Sequence, residues 1–217
     1  MADIFNEVDE EVRRDQLKKL WERYSIYIIV LVVLFIAGIG AWRGYEYWEA
    51  KKAADASAQF EAAVALGEQG KHAESEAAFA KIAGEAPAGY RTLAKLRAAA
   101  ELSQYDPKAA IAAYDTLATD NSLDATLREL AAVRAGLLLV DTAPLSEMRR
   151  RLESLDEPNG TFRHTARELL ALSAWRNGDA TAARRYIDMV VGDADTPAAT
   201  RSRIDVLSAL IAADGKS

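Results

Sequence analysis

His72 and His164 are the only two imidazoles in the chain, and there is no cysteine. Imidazole and thiolate are the side chains most used for general-base, nucleophilic and zinc chemistry. Two isolated histidines without a thiolate form neither a nucleophile–base pair nor a metal site. His72 follows Gly70-Lys71 at a turn, and a packing role is expected there. His164 opens a helix beginning near Phe162, where a surface or capping role is expected. Carboxylates are plentiful, but Asp9-Glu10-Glu11 and Asp156-Glu157 read as solvated runs, so no acid–base pair can be named. Gly38-x-Gly40 has no strand before it and is not a dinucleotide fingerprint. Arg149-Arg150-Arg151 reads as a solvated helix face. Asn159-Gly160-Thr161 matches a glycosylation acceptor in pattern and reads as a plain turn. The chain is expected not to be an enzyme, with no catalytic, cofactor or metal residue, and to act by binding.

The element that dominates the sequence is the uncharged run from Ile26 to Trp42. Eleven of its residues are Ile, Leu, Val or Phe, which together favour insertion into a bilayer by roughly 5 kcal/mol. As a helix the run spans about 25 Å, against a hydrocarbon core of ~30 Å. Trp21, Tyr24 and Tyr27 at one end, and Trp42, Tyr45, Tyr47 and Trp48 at the other, extend it as paired aromatic belts. A cleaved signal peptide is a poorer reading. Some two dozen residues precede the run, and it leads into Arg43 rather than a small-residue cleavage site. On the N-terminal side lie Arg13, Arg14, Lys18, Lys19 and Arg23; on the other lie Arg43, Lys51 and Lys52. That asymmetry places the N-terminus in the cytoplasm. Ala37-x3-Ala41 and Gly40-x3-Gly44 have small-xxx-small spacing, which lets another membrane helix approach closely.

The net charge is −6, shared between the tail and the remainder, so neither part carries the basic footprint of a nucleic-acid binder. The tail DEEVRRDQLKKLWERY sets Val8, Val12, Leu17, Leu20, Trp21 and Tyr24 near a 3.6 period, an amphipathic helix running into the membrane. The expected organisation is a cytosolic stub over residues 1–23, a transmembrane helix over 24–48, and a helical domain over 49–217. About 169 residues in the last part suffice for one core.

After the span no breaker occurs until Gly67, so the membrane helix is expected to continue or to kink near Gly44. Breaks then fall at 67–70, 84–89, 105–107, 120–122, 141–144, 156–160, 177–179 and 192–197. They separate alanine-rich segments of helical period, predicting about nine helices of ~10–18 residues and no strand. Asp106-Pro107 and Thr196-Pro197 are expected helix starts, each with a capping oxygen before a proline. Helices in pairs invite a search for a period. Ser75, Phe79 and Ile82 recur 35 positions on as Ala110, Tyr114 and Leu117, and again as Ala183, Ile187 and Val190. The unit between, around Leu145, Met148 and Leu152, fits poorly. A small residue lets two helices approach, and a large one four positions later fills the groove. Such units bury their apolar faces only by stacking.

Gly70-x4-Ser75-x3-Phe79-x7-Pro87 resembles the second half of a tetratricopeptide unit, and Ala110-x3-Tyr114 repeats part of it. The tryptophan and leucine-glycine signature of the first helix is absent; Phe60, Ala63 and Leu66 stand in loosely. The whole layout is a charged stub, one span ending GIGAWRGYEYW, then helical repeats. It resembles the ancillary subunit family of the SecYEG translocon over nearly its full length. The resemblance implies an all-α tetratricopeptide-like domain in the periplasm on a bacterial inner-membrane anchor. It implies as partners the SecYEG translocon, a periplasmic peptidyl-prolyl isomerase chaperone and exported clients. It brings no catalytic residue and no cofactor. A scaffold for envelope growth or division is the alternative reading.

Overall fold

The computed structural model describes residues 3–214, with side chains at 18 and from 21 to 213. Nine α-helices cover the described residues, and no strand occurs among them. They are α1 (Asp3–Glu68), α2 (His72–Glu85), α3 (Ala88–Leu102), α4 (Pro107–Thr119), α5 (Ala125–Leu139), α6 (Leu145–Leu152), α7 (Arg163–Arg176), α8 (Ala180–Val191) and α9 (Ala198–Asp214). A single 3₁₀ turn, Glu153–Leu155, follows α6. The chain divides into two units, Met1–Ala54 and Asp55–Ser217.

In the first unit, helix α1 is long and apolar enough to cross a membrane, and none of its apolar window is buried in protein. The helix is unbroken at Gly44 and runs through Gly67 to Glu68. Its side chains satisfy one another locally: Tyr45 Oη donates to Glu49 at 2.9 Å, and Lys52 Nζ lies 3.4 Å from the Trp48 ring centroid.

The second unit stacks helical hairpins around three apolar clusters. Ala63, Phe79, Ile82 and Ala94 form the first, with Phe60 edge-on to Phe79 at 5.0 Å and to Tyr90 at 6.1 Å. Ala99, Tyr114, Leu117, Leu123, Ala131 and Ala135 form the second. The third and largest runs from α5 to α9 around Met148, Leu152, Leu170, Tyr186, Val190 and Ile204. Small residues at the contact points let alanine-rich helices pack closely with little side-chain entropy to lose.

The starts and stops follow local chemistry. Asp106, Asp124 and Asp179 cap α4, α5 and α8 by accepting from Ala109 N, Leu127 N and Ala182 N at 2.9–3.0 Å. Gly70 and Gly178 open their turns with φ of +76° and +79°, a region that L side chains avoid. Thr196 departs from the expected cap. It is buried, and its hydroxyl donates to Val190 O at 2.7 Å instead of closing the first turn of α9. The expected helix lengths fail at α6, which has 8 residues. Its sequence packs only Met148 and Leu152 into the core, so the apolar stripe ends after two turns.

Candidate functional site

The surfaces of the helical array are set by the seams between its helices. Ser75, Phe79, Ala110, Tyr114, Ala183 and Ile187 are all buried in these seams. Ser75 Oγ donates to Ala63 O at 2.7 Å, tying α2 directly to the backbone of α1. Ala183 and Ile187 hold the same seats on α8 that Ser75 and Phe79 hold on α2, 108 positions earlier. Gly70 and Gly178, the two positive-φ residues among those described, are separated by that same interval.

Polar contacts between units also step by one repeat. Arg151 Nη1 on α6 pairs with Asp115 on α4, 36 positions back. Arg203 Nη2 on α9 donates to Glu168 on α7 at 2.7 Å, 35 positions back. Arg176 Nε on α7 donates to Val140 O at the end of α5, also 36 positions back, at 2.9 Å. Helices one repeat apart are stacked neighbours, so residues at matching positions meet. The unit that fits the sequence pattern poorly, α5 with α6, is locked into the array by these contacts.

A charged network gathers where α7 meets the α8–α9 connection. Arg163 Nε donates to Asp193 Oδ2 at 2.9 Å, and its Nη2 reaches Asp195 Oδ2 at 3.2 Å. Arg167 Nη1 donates to the same Asp193 oxygen at 3.0 Å, and its Nε pairs with Asp156. Arg201 of α9 donates to Val191 O and Asp193 O, both at 2.9 Å. Asp193 is held well below the usual carboxylate range, chiefly by the Arg163 hydrogen bond. Beside it, His164 Nδ1 lies 3.1 Å from Thr196 Oγ1. That hydroxyl has one proton, and it is given to Val190 O, so the imidazole donates from Nδ1.

Several sequence expectations are corrected here. His164 is buried rather than at the surface, because its hydrogen bond to Thr196 anchors the connection before α9. His72 is not a packing residue but a polar clasp, its Nδ1 lying 2.8 Å from Glu101 Oε2 across α2 and α3. Asp156 leaves the solvated run to pair with Arg167. Of the three consecutive arginines, Arg150 lies on the surface, but Arg151 bridges α6 to α4 and Arg149 Nε is buried. The side chains of Asp9, Glu10 and Glu11 lie outside the described residues. Arg163, Arg167 and Glu168 are not marked out in the sequence, because charged residues on an alanine-rich helix read as solvent-facing. The available signal was spacing, since Glu168 and Arg203 sit one repeat apart.

On α1, Ala37, Gly40, Ala41 and Gly44 are exposed, and a Cβ added at Gly40 or Gly44 would meet nothing within 4 Å. Among the described residues no group of three or more His, Cys, Asp or Glu is placed to hold a metal ion.

The model of the tetratricopeptide repeat-like domain matches residues 18–185. The chain belongs to the tetratricopeptide repeat-like domain family. The match runs through the poorly patterned α5–α6 unit and ends within α8. Among curated proteins, an ancillary SecYEG translocon subunit from Haemophilus influenzae is 24% identical over 153 residues, spanning 70% of this chain and 74% of that protein. No solved structure matches the chain. The tetratricopeptide-like array is therefore assigned by sequence family and by its own helical architecture together.

Proposed function

We propose that this protein is a membrane-anchored ancillary subunit of a Sec-type translocon, acting by protein binding and not by catalysis. The observation that carries the reading is the relative named for that role, which matches over 70% of this chain. The long apolar helix and the repeat array are the two parts such a subunit needs. In this reading α1 crosses the inner membrane with the N-terminus in the cytoplasm, and the array works in the periplasm. There it binds a peptidyl-prolyl isomerase chaperone and newly exported clients. Extended surfaces on stacked hairpins suit that task. The anchor turns weak contacts into effective ones by holding the array at a local concentration in the millimolar range, roughly. The small face of Ala37, Gly40, Ala41 and Gly44 offers close approach to a translocon helix.

Purification of the intact chain from mild-detergent membranes tests the reading. Translocon subunits should be enriched over a control single-span protein of equal abundance. Equal recovery with the control would overturn it.

A further inference from the structure

Gly38 opens a notch in α1 within the apolar run. Leu34, Phe35, Ile39 and Trp42 wall it, and Arg43 closes its C-terminal end. All six residues are exposed, and a Cβ added at Gly38 would meet nothing within 4 Å. The glycine is therefore not demanded by packing within the chain; its effect is to leave room beside the helix. The helix turns by about 100° per residue, so the notch and the small residues Ala37, Gly40, Ala41 and Gly44 lie on opposite sides, their centres about 160° apart. The two sides suit different neighbours. Close approach of a second helix needs small residues, whereas the notch is rimmed by large ones. A single acyl chain is thin enough to lie over one glycine between them. From Leu34 to Arg43 the notch runs about 14 Å, close to the depth of one leaflet in a hydrocarbon core of ~30 Å.

The outer end of the notch carries two opposite charges. Arg43 is the first charged residue after the apolar run, and Glu46 lies one turn farther out. Arg43 Nη1 donates to Glu46 Oε2 at 3.4 Å. The contact is long, and 79% of the arginine side chain and 50% of the glutamate side chain are exposed. Such a pair is worth little by itself, and both groups keep hydrogen-bonding capacity for a ligand. Their order along the helix is informative: the cation adjoins the apolar run, and the carboxylate sits about 4.5 Å beyond it. A phospholipid whose headgroup ends in an amine has the complementary order, with phosphate next to the chains and ammonium beyond. A guanidinium takes a phosphate through paired N–H donors, and a primary ammonium donates N–H to a carboxylate.

We infer that this side of α1 is a binding site for a zwitterionic phospholipid with a primary-amine headgroup. One acyl chain lies over Gly38, the phosphate meets Arg43 and the ammonium meets Glu46. A purely anionic headgroup sets its charge against Glu46, and a quaternary ammonium has no N–H to donate to it. The inference rests on α1 spanning a bilayer and not on the translocon reading.

Native mass spectrometry of the full chain tests it. The chain is released from micelles holding phosphatidylethanolamine, phosphatidylcholine and phosphatidylglycerol in equal amounts with identical acyl chains. The phosphatidylethanolamine adduct should exceed each of the others by about threefold or more. Glu46→Gln should bring it down to the phosphatidylcholine level, and Arg43→Gln should lower all three. Gly38→Leu fills the notch and should remove the preference. These positions are exposed, so the helix persists in each variant. Val33→Phe, on the opposite side, should change nothing. Equal binding of the three lipids, a preference for phosphatidylglycerol, or a preference that survives both Gly38→Leu and Glu46→Gln overturns the inference while the span stands. Release of the intact chain from carbonate-washed membranes overturns the span and the inference with it.

Discussion

At the scale of single residues, the most consequential group is His164. Burial lowers its pKa, and Arg163 and Arg167 push in the same direction against the opposing pull of Asp193 and Asp195. The folded pKa therefore lies below the unfolded value of ~6.5. A histidine depressed in this way contributes stability that is complete above that unfolded value. The contribution is lost as pH falls through the folded pKa, because the unfolded chain binds the proton more readily. Thermal stability of the full chain should accordingly fall as the pH drops below about 6.5. His164→Gln should flatten that part of the profile. A second prediction concerns Ser75, whose hydroxyl is satisfied by Ala63 O inside the first seam. Ser75→Ala should cost about 1 kcal/mol, and Ser75→Val more, since the helices approach closely there; chemical denaturation measures both. Ser75 was legible in the sequence as the small residue of a repeat. His164 was not, because nothing nearby in sequence announces Thr196, 32 positions away, as its partner.

At the scale of elements, the breaks between helices were legible because glycine, proline and aspartate act locally. Gly70, Gly178, Asp106 and Asp179 each do at their turns what their chemistry allows anywhere. The α5–α6 unit was not legible, because its place depends on contacts one repeat away, such as Arg151 with Asp115. The short α6 keeps its position through those contacts together with Met148 and Leu152, the two residues it buries in the core. Arg151→Ala should therefore loosen α6 specifically, and hydrogen exchange should rise at Leu145–Leu152 while α2 and α3 keep their protection. The three clusters also predict unequal local stability. The first is small and built around Phe79. Phe79→Ala should cost about 3 kcal/mol or more, and exchange should report the loss in α2 and α3 before α7 and α8. Uniform loss across the array would instead mean that the clusters unfold as one.

At the scale of the whole molecule, the two parts were separable from the sequence because they obey different solvents. An unbroken apolar run with aromatic ends signals a lipid environment. Alanine-rich hairpins with a 35-residue period signal stacking in water. The charged network around Asp193 belongs to neither pattern; it emerges only when α7, α8 and the approach to α9 come together. In the proposed function a membrane span is joined to a binding array, and the side of the membrane on which that array lies decides the account. The most direct measurement is a phosphatase reporter fused after Ser217, active only outside the cytoplasm. The account predicts activity in intact cells, with a cytosolic reporter at the same site silent. A silent phosphatase beside an active cytosolic reporter would contradict it.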